Sequence, residues 1–322
     1  MIHAAILGLG RWGRGLVESV QNISEQIQFT HALVQSREKH QEFADKNDLF
    51  LTSQYKDILS NPSIKLVVIA TPHTMHVDQI IAAAHAGKHV LCEKPLALSV
   101  MDAQKAVEAC RQAGVQLGVG HDKRFWPSMQ ALKAELLSNS LGELIHIEGN
   151  FSNENSRLIT GGWRNAPENA PGGSITATGI HLVDAFVNLM GPINSVQGHY
   201  VVHSNTKEFS DSMSLLCNFK SGATGVISSV RPTPVFWNVH VFGTLGSIEA
   251  RGPNNLLLFR SGKPVEAKEF TPMNALRMQL DTMGRCIQES LPYPMPGEQM
   301  IDTVKAFLAS ARAIDTGEIV HL

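Results

Sequence analysis

The stretch IHAAILGLGRWGRG, residues 2–15, decides the fold of the first part of the chain. It begins with an apolar run, Ile2–Leu7, that has the length and composition of a short buried strand. The run ends in Gly8, Gly10 and Gly13, which form the pattern G-x-G-x-x-G ahead of a predicted helix. Glycines also serve ordinary turns, but their place between a first strand and a first helix favours the opening of a βαβ unit.

Strands and helices continue to alternate as far as Gly120. The segment Ile64–Ala70 is apolar throughout, as is typical of a parallel strand that is buried on both faces. Ser99 is a favourable N-cap for a helix that ends at Ala113. This alternation predicts an α/β fold with a doubly wound parallel sheet. The remaining predicted strands are Phe29–Val34, His89–Cys92 and Gln116–Gly120, and the remaining predicted helices are Arg11–Asn22, Glu38–Asn47 and Met75–Ala86.

The pattern then changes. The polar segment Asn153–Gly172 predicts a long functional loop or a linker. Beyond a helix predicted near Ile175–Leu189, strands follow one another without helices between them, which predicts a mostly antiparallel sheet. The other predicted elements are helices Met129–Leu137, Ala275–Glu289 and Glu298–Thr316, and strands Leu144–Ser152, Ser195–Val202, Ser212–Asn218, Thr224–Ser229, Trp237–Phe242, Ser247–Ala250 and Leu256–Phe259.

The length of the chain suits two hydrophobic cores, since its 322 residues exceed the size at which single cores stop growing, about 250–300 residues. The change of pattern places the boundary near Gly120–Arg124. We therefore predict a first domain at residues 1–121 and a second at residues 122–322.

Composition excludes several classes of partner. The formal net charge is −2 and no basic stripe is present, so nucleic acids and anionic membranes are not expected as partners. No run approaches the roughly 20 apolar residues of a membrane span, and the N-terminal residues lack a signal-peptide pattern. The four cysteines show no C-x-x-C spacing, which favours free thiols in the cytoplasm. No three histidine, cysteine or carboxylate side chains form an evident ligand set, so no metal is expected.

The glycine turn predicts a bound dinucleotide. The first glycine permits the tight turn, the second lets the backbone approach a pyrophosphate, and the third lets helix and strand pack closely. The end of the second strand, where an NAD enzyme usually has an acidic residue, instead reads Val34-Gln35-Ser36-Arg37. Ser36 and Arg37 are suited to a 2′-phosphate, which favours NADP(H) while NAD(H) remains possible. Alternatively, Arg37 and Lys39 are only the solvated start of a helix.

A second segment, GKHVLCEKPLALS at Gly87–Ser99, ends an apolar strand in Glu93, Lys94 and Pro95. Ligands of open α/β sheets bind at the carboxyl edge of the strands, so a lysine there can donate to a substrate oxygen. The alternative is a surface ion pair between Glu93 and Lys94.

Together these segments resemble the glucose–fructose oxidoreductase / inositol 2-dehydrogenase / MocA family. The resemblance covers essentially the whole chain. It implies a Rossmann domain and a C-terminal α/β domain built on a large, mostly antiparallel open sheet that forms the interface of a homodimer or homotetramer. The motifs that carry it are GLGRWGRG at Gly8–Gly15, ATPHTMH at Ala70–His76, AGKHVLCEKPLALS at Ala86–Ser99, GHDKRFWP at Gly120–Pro127, GGWR at Gly161–Arg164 and PGGSITATGIHLVDA at Pro171–Ala185.

The resemblance also implies which residues hold the nicotinamide cofactor, and that the Lys94–Pro95 peptide is often cis. Trp163 and Arg164 correspond to a family pair that reaches the cofactor from the second domain. The implied cofactor residues are Gly8, Gly10, Arg11, Trp12, Gly13, Ser36, Arg37, Thr71, Pro72, His73, His76, Glu93, Lys94, Trp163 and Arg164.

The implied catalytic residues are Lys94 and His181. In the family, an Asp lies four residues before the histidine on the same helical face, but this chain has Ala177 there. Thr178 or Asp184 lies on nearly the same face and is a candidate to replace that Asp in part. His121 and Thr178 are predicted to contact the substrate, although His121 is equally compatible with a hinge. The alternative for His181 is a buried structural histidine.

The predicted function is therefore hydride transfer between NAD(P) and a carbinol or carbonyl of a sugar-like, inositol-like or cyclic-diol-like small molecule. Two alternatives remain open, because the family includes transcriptional regulators and glycosidases that use NAD transiently. The absence of the family Asp keeps a non-catalytic nucleotide-binding regulator among them.

Overall fold

The computed structural model describes residues 1–155, 171, 175–203 and 211–322. The chain divides into two compact units. The first consists of Met1–Asp122 with Asn274–Ile301, and the second of Lys123–Met273 with Asp302–Leu322.

The first unit contains, in its described residues, a six-stranded parallel sheet in the order β3-β2-β1-β4-β5-β6. The prediction of a doubly wound parallel sheet is confirmed. Every residue of β4 is buried, because apolar side chains on both faces suit a sheet covered on both sides. The strands are β1 Ile2–Leu7, β2 Ile27–Leu33, β3 Phe50–Thr52, β4 Leu66–Ile69, β5 His89–Cys92 and β6 Leu117–Val119. The helices are α1 Arg11–Val20, α2 Gln41–Lys46, α3 Tyr55–Ser60, α4 His76–His85 and α5 Val100–Ala113.

The first unit also includes helix α8, Ala275–Gln288, from late in the chain. The helix packs so closely that a Cβ on Gly284 would lie 2.9 Å from a side-chain carbon of Ile27. The Ser24 hydroxyl donates to the Asp281 carboxylate. A single division after residue 121 would place this helix with the second part of the chain. The assignment of residues 122–322 to a substrate-binding and oligomerisation domain stays a prediction.

The second unit contains, among its described residues, a nine-stranded sheet in the order β14-β13-β12-β11-β7-β10-β9-β8-β15. Only the β7–β10 pair is parallel within that part of the chain, so the predicted mostly antiparallel sheet is confirmed. Its strands are β7 Leu144–Ser152, β8 Ile193–Val202, β9 Asp211–Phe219, β10 Thr224–Val230, β11 Phe236–Gly243, β12 Gly246–Arg251, β13 Asn255–Phe259, β14 Glu266–Glu269 and β15 Val320–His321. Its helices are α6 Pro127–Leu137 and α7 Ile180–Met190, and α9, Gly297–Thr316, begins in the first unit and ends in the second.

One face of this second sheet packs on α7. Glycines on β7 and β10 make room for the helix, since a Cβ on either Gly149 or Gly225 would lie 2.9 Å from the ring of Phe186. Ile147, Leu215 and Ile227 and their neighbours on the same face are fully buried. On the opposite face, Ser214, Leu216 and Asn218 of β9 are exposed among the described residues. None of the helices in the described residues combines the length and the apolar character needed to cross a membrane.

Candidate active site

The glycine turn has the geometry that a pyrophosphate requires. Gly8 has a φ of +94°, and a Cβ on Gly13 would come within 2.0 Å of the Gly8 carbonyl oxygen. At Gly10, by contrast, nothing lies within 4 Å of where a Cβ would be. Gly10 is also the N-cap of α1 and has no side chain to satisfy the first N–H groups of the helix. These residues fit a dinucleotide phosphate laid across Gly10 at the positive end of α1.

The Glu93 carboxylate follows the end of β5 and is buried. The Trp12 side chain lies close enough to favour its charged form. A Cβ on Gly120 would lie 2.6 Å from Glu93 Oε1, so the carboxylate is pressed against the end of β6. Burial, together with a smaller effect of the nearby Asp122 carboxylate, raises the pKa of Glu93 to about 7, although the Trp12 side chain and the Lys94 charge oppose the shift.

Glu93→Gln is expected to stabilise the cofactor-free protein above pH 7 by about 1–3 kcal/mol. The raised pKa means that the native state keeps a proton that the unfolded chain loses near pH 4.5, so stability falls as pH rises from about 4.5 to about 7. The amide keeps nearly the size and shape of the carboxyl group but carries no charge. Denaturant unfolding across this range should show the advantage of the variant growing up to about pH 7 and then staying constant. A difference that does not change with pH would contradict the buried-charge explanation.

Lys94 follows Glu93 directly, at the carboxyl edge of the parallel sheet. It is half-buried, and its backbone N–H lies 3.4 Å from Glu93 Oε2. The Lys94–Pro95 peptide is cis, as the family resemblance implied.

His76, the first residue of α4, links two loops at this edge. Its ring is fully buried, with Nδ1 2.9 Å from the Pro95 carbonyl oxygen and Nε2 3.1 Å from the Thr71 carbonyl oxygen. Burial lowers the pKa of His76, which favours the neutral ring with one N–H to donate. Gln79, one turn later, accepts a 2.6 Å hydrogen bond from the Thr71 hydroxyl. The loop that contains Lys94 is thus tied to the loop that contains Thr71.

His76→Ala is expected to cost about 2–4 kcal/mol of stability, because it removes a buried donor between two carbonyl groups and leaves a cavity. His85→Ala is the matched control, since His85 lies on the same helix but is exposed. Chemical denaturation of both variants tests this. An equal effect at the two positions would show that the two carbonyl contacts contribute nothing.

In the second unit, His181 lies at the start of α7, immediately after an irregular turn. Residues Ile175–Gly179 form a π-helix that runs into the α-helix. A Cβ on Gly179 would lie 2.6 Å from Ile175 Cδ1 and 2.8 Å from Met213 Cε, so both side chains pack closely against this turn. Single-turn π-helices occur frequently at functional sites. The His181 side chain is 7% exposed, and its ring meets Phe151 edge-on at 5.8 Å between centroids.

The two candidate substitutes for the family Asp have different partners. The Thr178 hydroxyl lies 2.9 Å from Ser229 Oγ, and Ser229 donates to the Phe151 carbonyl oxygen. Since the Ser229 proton is used there, Thr178 is the donor in the pair. Asp184 accepts from Arg124 through both oxygens, at 2.8 and 2.7 Å, in a buried bidentate ion pair. The carboxylate therefore holds Arg124 in place.

Trp237 joins Phe151 and Trp126 in an aromatic group that the sequence did not single out. The Trp237 ring lies 5.3 Å from Phe151 and 5.1 Å from Trp126. Lys123 Nζ lies 4.4 Å above the Trp126 ring and 5.9 Å from the Phe151 ring. The motif GHDKRFWP contains Lys123 and Trp126, but their partners lie on β7 and β11, which only the sheet register brings together.

The other predicted site residues occupy varied environments. His121, at the end of β6, is buried. Arg11 and Arg37 are exposed and Trp12 is 37% exposed, while Ser36, Thr71, Pro72 and His73 are half-buried. Trp163, Arg164 and the Gly172-Gly173 pair lie outside the described residues. No group of three metal-ligand side chains occurs in the part of the chain that is described, and the absence of a metal stays a prediction.

Comparison with known proteins places both units in one family. Residues 2–121 match the oxidoreductase family with an NAD-binding Rossmann fold, and residues 129–249 match the GFO/IDH/MocA C-terminal domain. The chain belongs to the Gfo/Idh/MocA family. The sequence-based identification of a nicotinamide-dependent oxidoreductase is thereby confirmed.

Individual relatives agree with the Gfo/Idh/MocA assignment. D-xylose 1-dehydrogenase (NADP(+)) 2 from Haloferax volcanii is 28% identical, covering 98% of each chain. scyllo-Inositol 2-dehydrogenase (NAD(+)) from Bacillus subtilis is 32% identical over 60% of this chain and 56% of its own. The structure of aldose-aldose oxidoreductase from Caulobacter crescentus has the same fold, with a TM-score of 0.86 and 24% identity. The match covers 100% of this chain and 99% of that one.

Proposed function

We propose that this Gfo/Idh/MocA protein transfers a hydride between NADP(H) and a carbinol or carbonyl of a sugar, inositol or cyclic diol. The carrying observation is that Lys94 follows β5 at the same carboxyl edge of the parallel sheet at which the glycine turn follows β1, with only β4 between the two strands. A lysine at this edge is suited to donate to a substrate that lies on the nicotinamide.

Lys94 and His181 have different roles in the proposed reaction. When bound, the nicotinamide ring supplies the site that accepts or donates hydride. In oxidation, an imidazole nitrogen of His181 takes the hydroxyl proton as the carbon loses its hydride, and in reduction it returns that proton. The Lys94 ammonium donates to the same oxygen and stabilises its developing negative charge. Imidazole side chains are suited to proton transfer near neutral pH.

Substrate polarity follows from the residues around His181. The Ala177 methyl group cannot bind a hydroxyl, and the Thr178 hydroxyl donates to Ser229. The aromatic group Trp126, Phe151 and Trp237 suits the apolar face of a ring. We infer a cyclic polyol or sugar with fewer polar contacts than relatives that keep the Asp. The names of the relatives, xylose and inositol dehydrogenases, support the class.

NADP(H) is the proposed cofactor because the end of β2 lacks an acidic residue. Arg37→Ala should weaken NADPH binding by about tenfold or more and leave NADH nearly unchanged, since a charge-assisted hydrogen bond to the 2′-phosphate is lost. Fluorescence titration of both cofactors measures this. Equal losses would show that Arg37 does not contact the phosphate.

We further propose a cytoplasmic homodimer or homotetramer that assembles through the face opposite α7 of the nine-stranded sheet formed by the described residues. That face carries Leu216, which is 57% exposed, and the rings of His240, Phe242 and Phe259, which are half-buried. Leu216→Glu should lower the mass measured by light scattering. An unchanged mass, or a wild-type monomer, would contradict this interface.

A spectrophotometric screen tests the activity. Sugars, inositols, their phosphates and cyclic diols are each offered with both cofactors and in both directions. Substrate-dependent change in nicotinamide absorbance supports the proposal. Cofactor binding without turnover would favour a regulator, and glycoside hydrolysis without net redox change would favour an NAD-using glycosidase; the dehydrogenase names of the relatives favour neither.

A further inference from the structure

A group of four basic side chains lies where the second strand ends. Arg37, Lys39 and His40 belong to the segment after β2, and Arg14 reaches them from α1. Burial and the neighbouring charges of Arg14 and Lys39 lower the pKa of His40, which favours its neutral form. Arg14 and this segment together therefore carry three positive charges, and Arg14 contacts the glycine turn.

Arg14 is fixed by contacts on several sides. Its Nε donates to the Leu9 carbonyl oxygen at 3.3 Å, inside the glycine turn. One terminal nitrogen, Nη2, lies 3.2 Å from His40 Nδ1 and 3.5 Å from the Lys39 carbonyl oxygen. The guanidinium also lies over the Phe43 ring, at 4.9 Å from its centroid. The side chain thus joins the turn that receives the pyrophosphate to the segment that follows β2.

These cations have no carboxylate partner within the described residues. Arg14, Arg37 and Lys39 form no ion pair there, and Arg14 Nη1 makes no hydrogen bond. The Asp45 carboxylate of α2 accepts from Gln41 instead. Because the Arg14 guanidinium is already held in place, little side-chain conformational entropy is lost when its Nη1 edge binds an oxyanion.

We infer that Arg14 is a specificity residue for the 2′-phosphate of the adenosine ribose, acting together with Ser36 and Arg37. In this fold the ribose lies between the glycine turn and the end of the second strand, which are the two segments that Arg14 connects. Arg14 supplies its Nη1 edge to the phosphate, and His40 holds the guanidinium by accepting from Nη2. This inference rests on the proposed preference for NADP(H).

The test is the binding of NADPH, NADH, 2′,5′-ADP and 5′-AMP to the full chain, measured by calorimetry without substrate. Arg14→Gln should weaken NADPH and 2′,5′-ADP by about tenfold or more, and NADH and 5′-AMP by no more than about twofold. Arg14→Lys, which keeps the charge but loses the planar fork, should fall between the wild type and Arg14→Gln.

Lys46→Gln is the matched control, because it removes one positive charge from an exposed position at the end of α2. It should leave all four affinities within about twofold of the wild type. Equal weakening of NADPH and NADH by Arg14→Gln would overturn the inference and leave Arg14 as a support for the turn. Equal affinity of the wild type for NADPH and NADH would overturn both the role of Arg14 and the preference for NADP(H). Failure of the wild type to bind either cofactor would reject the proposed function itself.

Discussion

His181→Ala lowers turnover by about 10²-fold or more while the dissociation constant of the cofactor stays within about twofold, because general acid–base catalysis is typically worth 10²–10⁴-fold. The proton is exchanged with the substrate oxygen in the transition state, so its loss reduces kcat rather than cofactor binding. Lys94→Ala should give a similar reduction, since the ammonium stabilises charge that develops only during the reaction. Steady-state kinetics on the best substrate of the screen, with cofactor titrations, measure both effects.

His181→Asn and Ala177→Asp refine this result. Asparagine keeps a polar side chain but exchanges no proton, so the turnover of His181→Asn should be as low as that of His181→Ala. A carboxylate at position 177 should maintain or raise activity on highly hydroxylated substrates if the site follows the family mechanism; a buried, unpaired charge would instead lower stability. Full activity of His181→Ala would reject the histidine as the base and favour a regulator.

Asp184→Ala destabilises the protein by about 3–5 kcal/mol, because it leaves the Arg124 guanidinium buried and without its carboxylate. The side chains of Arg124 and Asp184 are only 9% and 2% exposed. Arg124 also donates to Asn188, which accepts from Lys133, so the loss leaves two cations near one amide oxygen.

Glu108→Ala is the matched control for this prediction. Glu108 also binds an arginine through both oxygens, at 2.7 and 2.6 Å, but that pair is exposed on α5. Thermal unfolding should show no change for Glu108→Ala and a large decrease for Asp184→Ala. Equal melting temperatures for the two variants would contradict the assignment of Asp184 to structure.

The sequence predicted the strands that carry the cofactor site to within a few residues. β1 and β5 were placed with their observed bounds, because apolar runs that end in glycine or a charged turn leave few alternatives. β3, Phe50–Thr52, and α3, Tyr55–Ser60, were not predicted. Both are short, and the exposed Phe50 breaks the burial pattern. β14, Glu266–Glu269, was also not predicted, because all four of its residues are exposed and no apolar run marks the strand.

The site was less predictable than the fold. Periodicity placed a helix through His181 but could not show that the preceding turn, Ile175–Gly179, is π-helical. The role of Arg14 depends on where the segment after β2 passes, and sequence spacing does not define that position. Contacts between side chains that are distant in the sequence therefore could not be predicted from the sequence.

Isotope transfer tests the central claim of hydride exchange most directly. The cofactor is reduced with deuterium at the transferable C4 position and incubated with the carbonyl compound that the screen selects. We predict one deuterium on the new carbinol carbon for each cofactor oxidised, detected by mass spectrometry and absent with Lys94→Ala on the same timescale. Oxidised cofactor with no deuterium in the product, or a converted substrate with all deuterium still on the cofactor, would contradict the account.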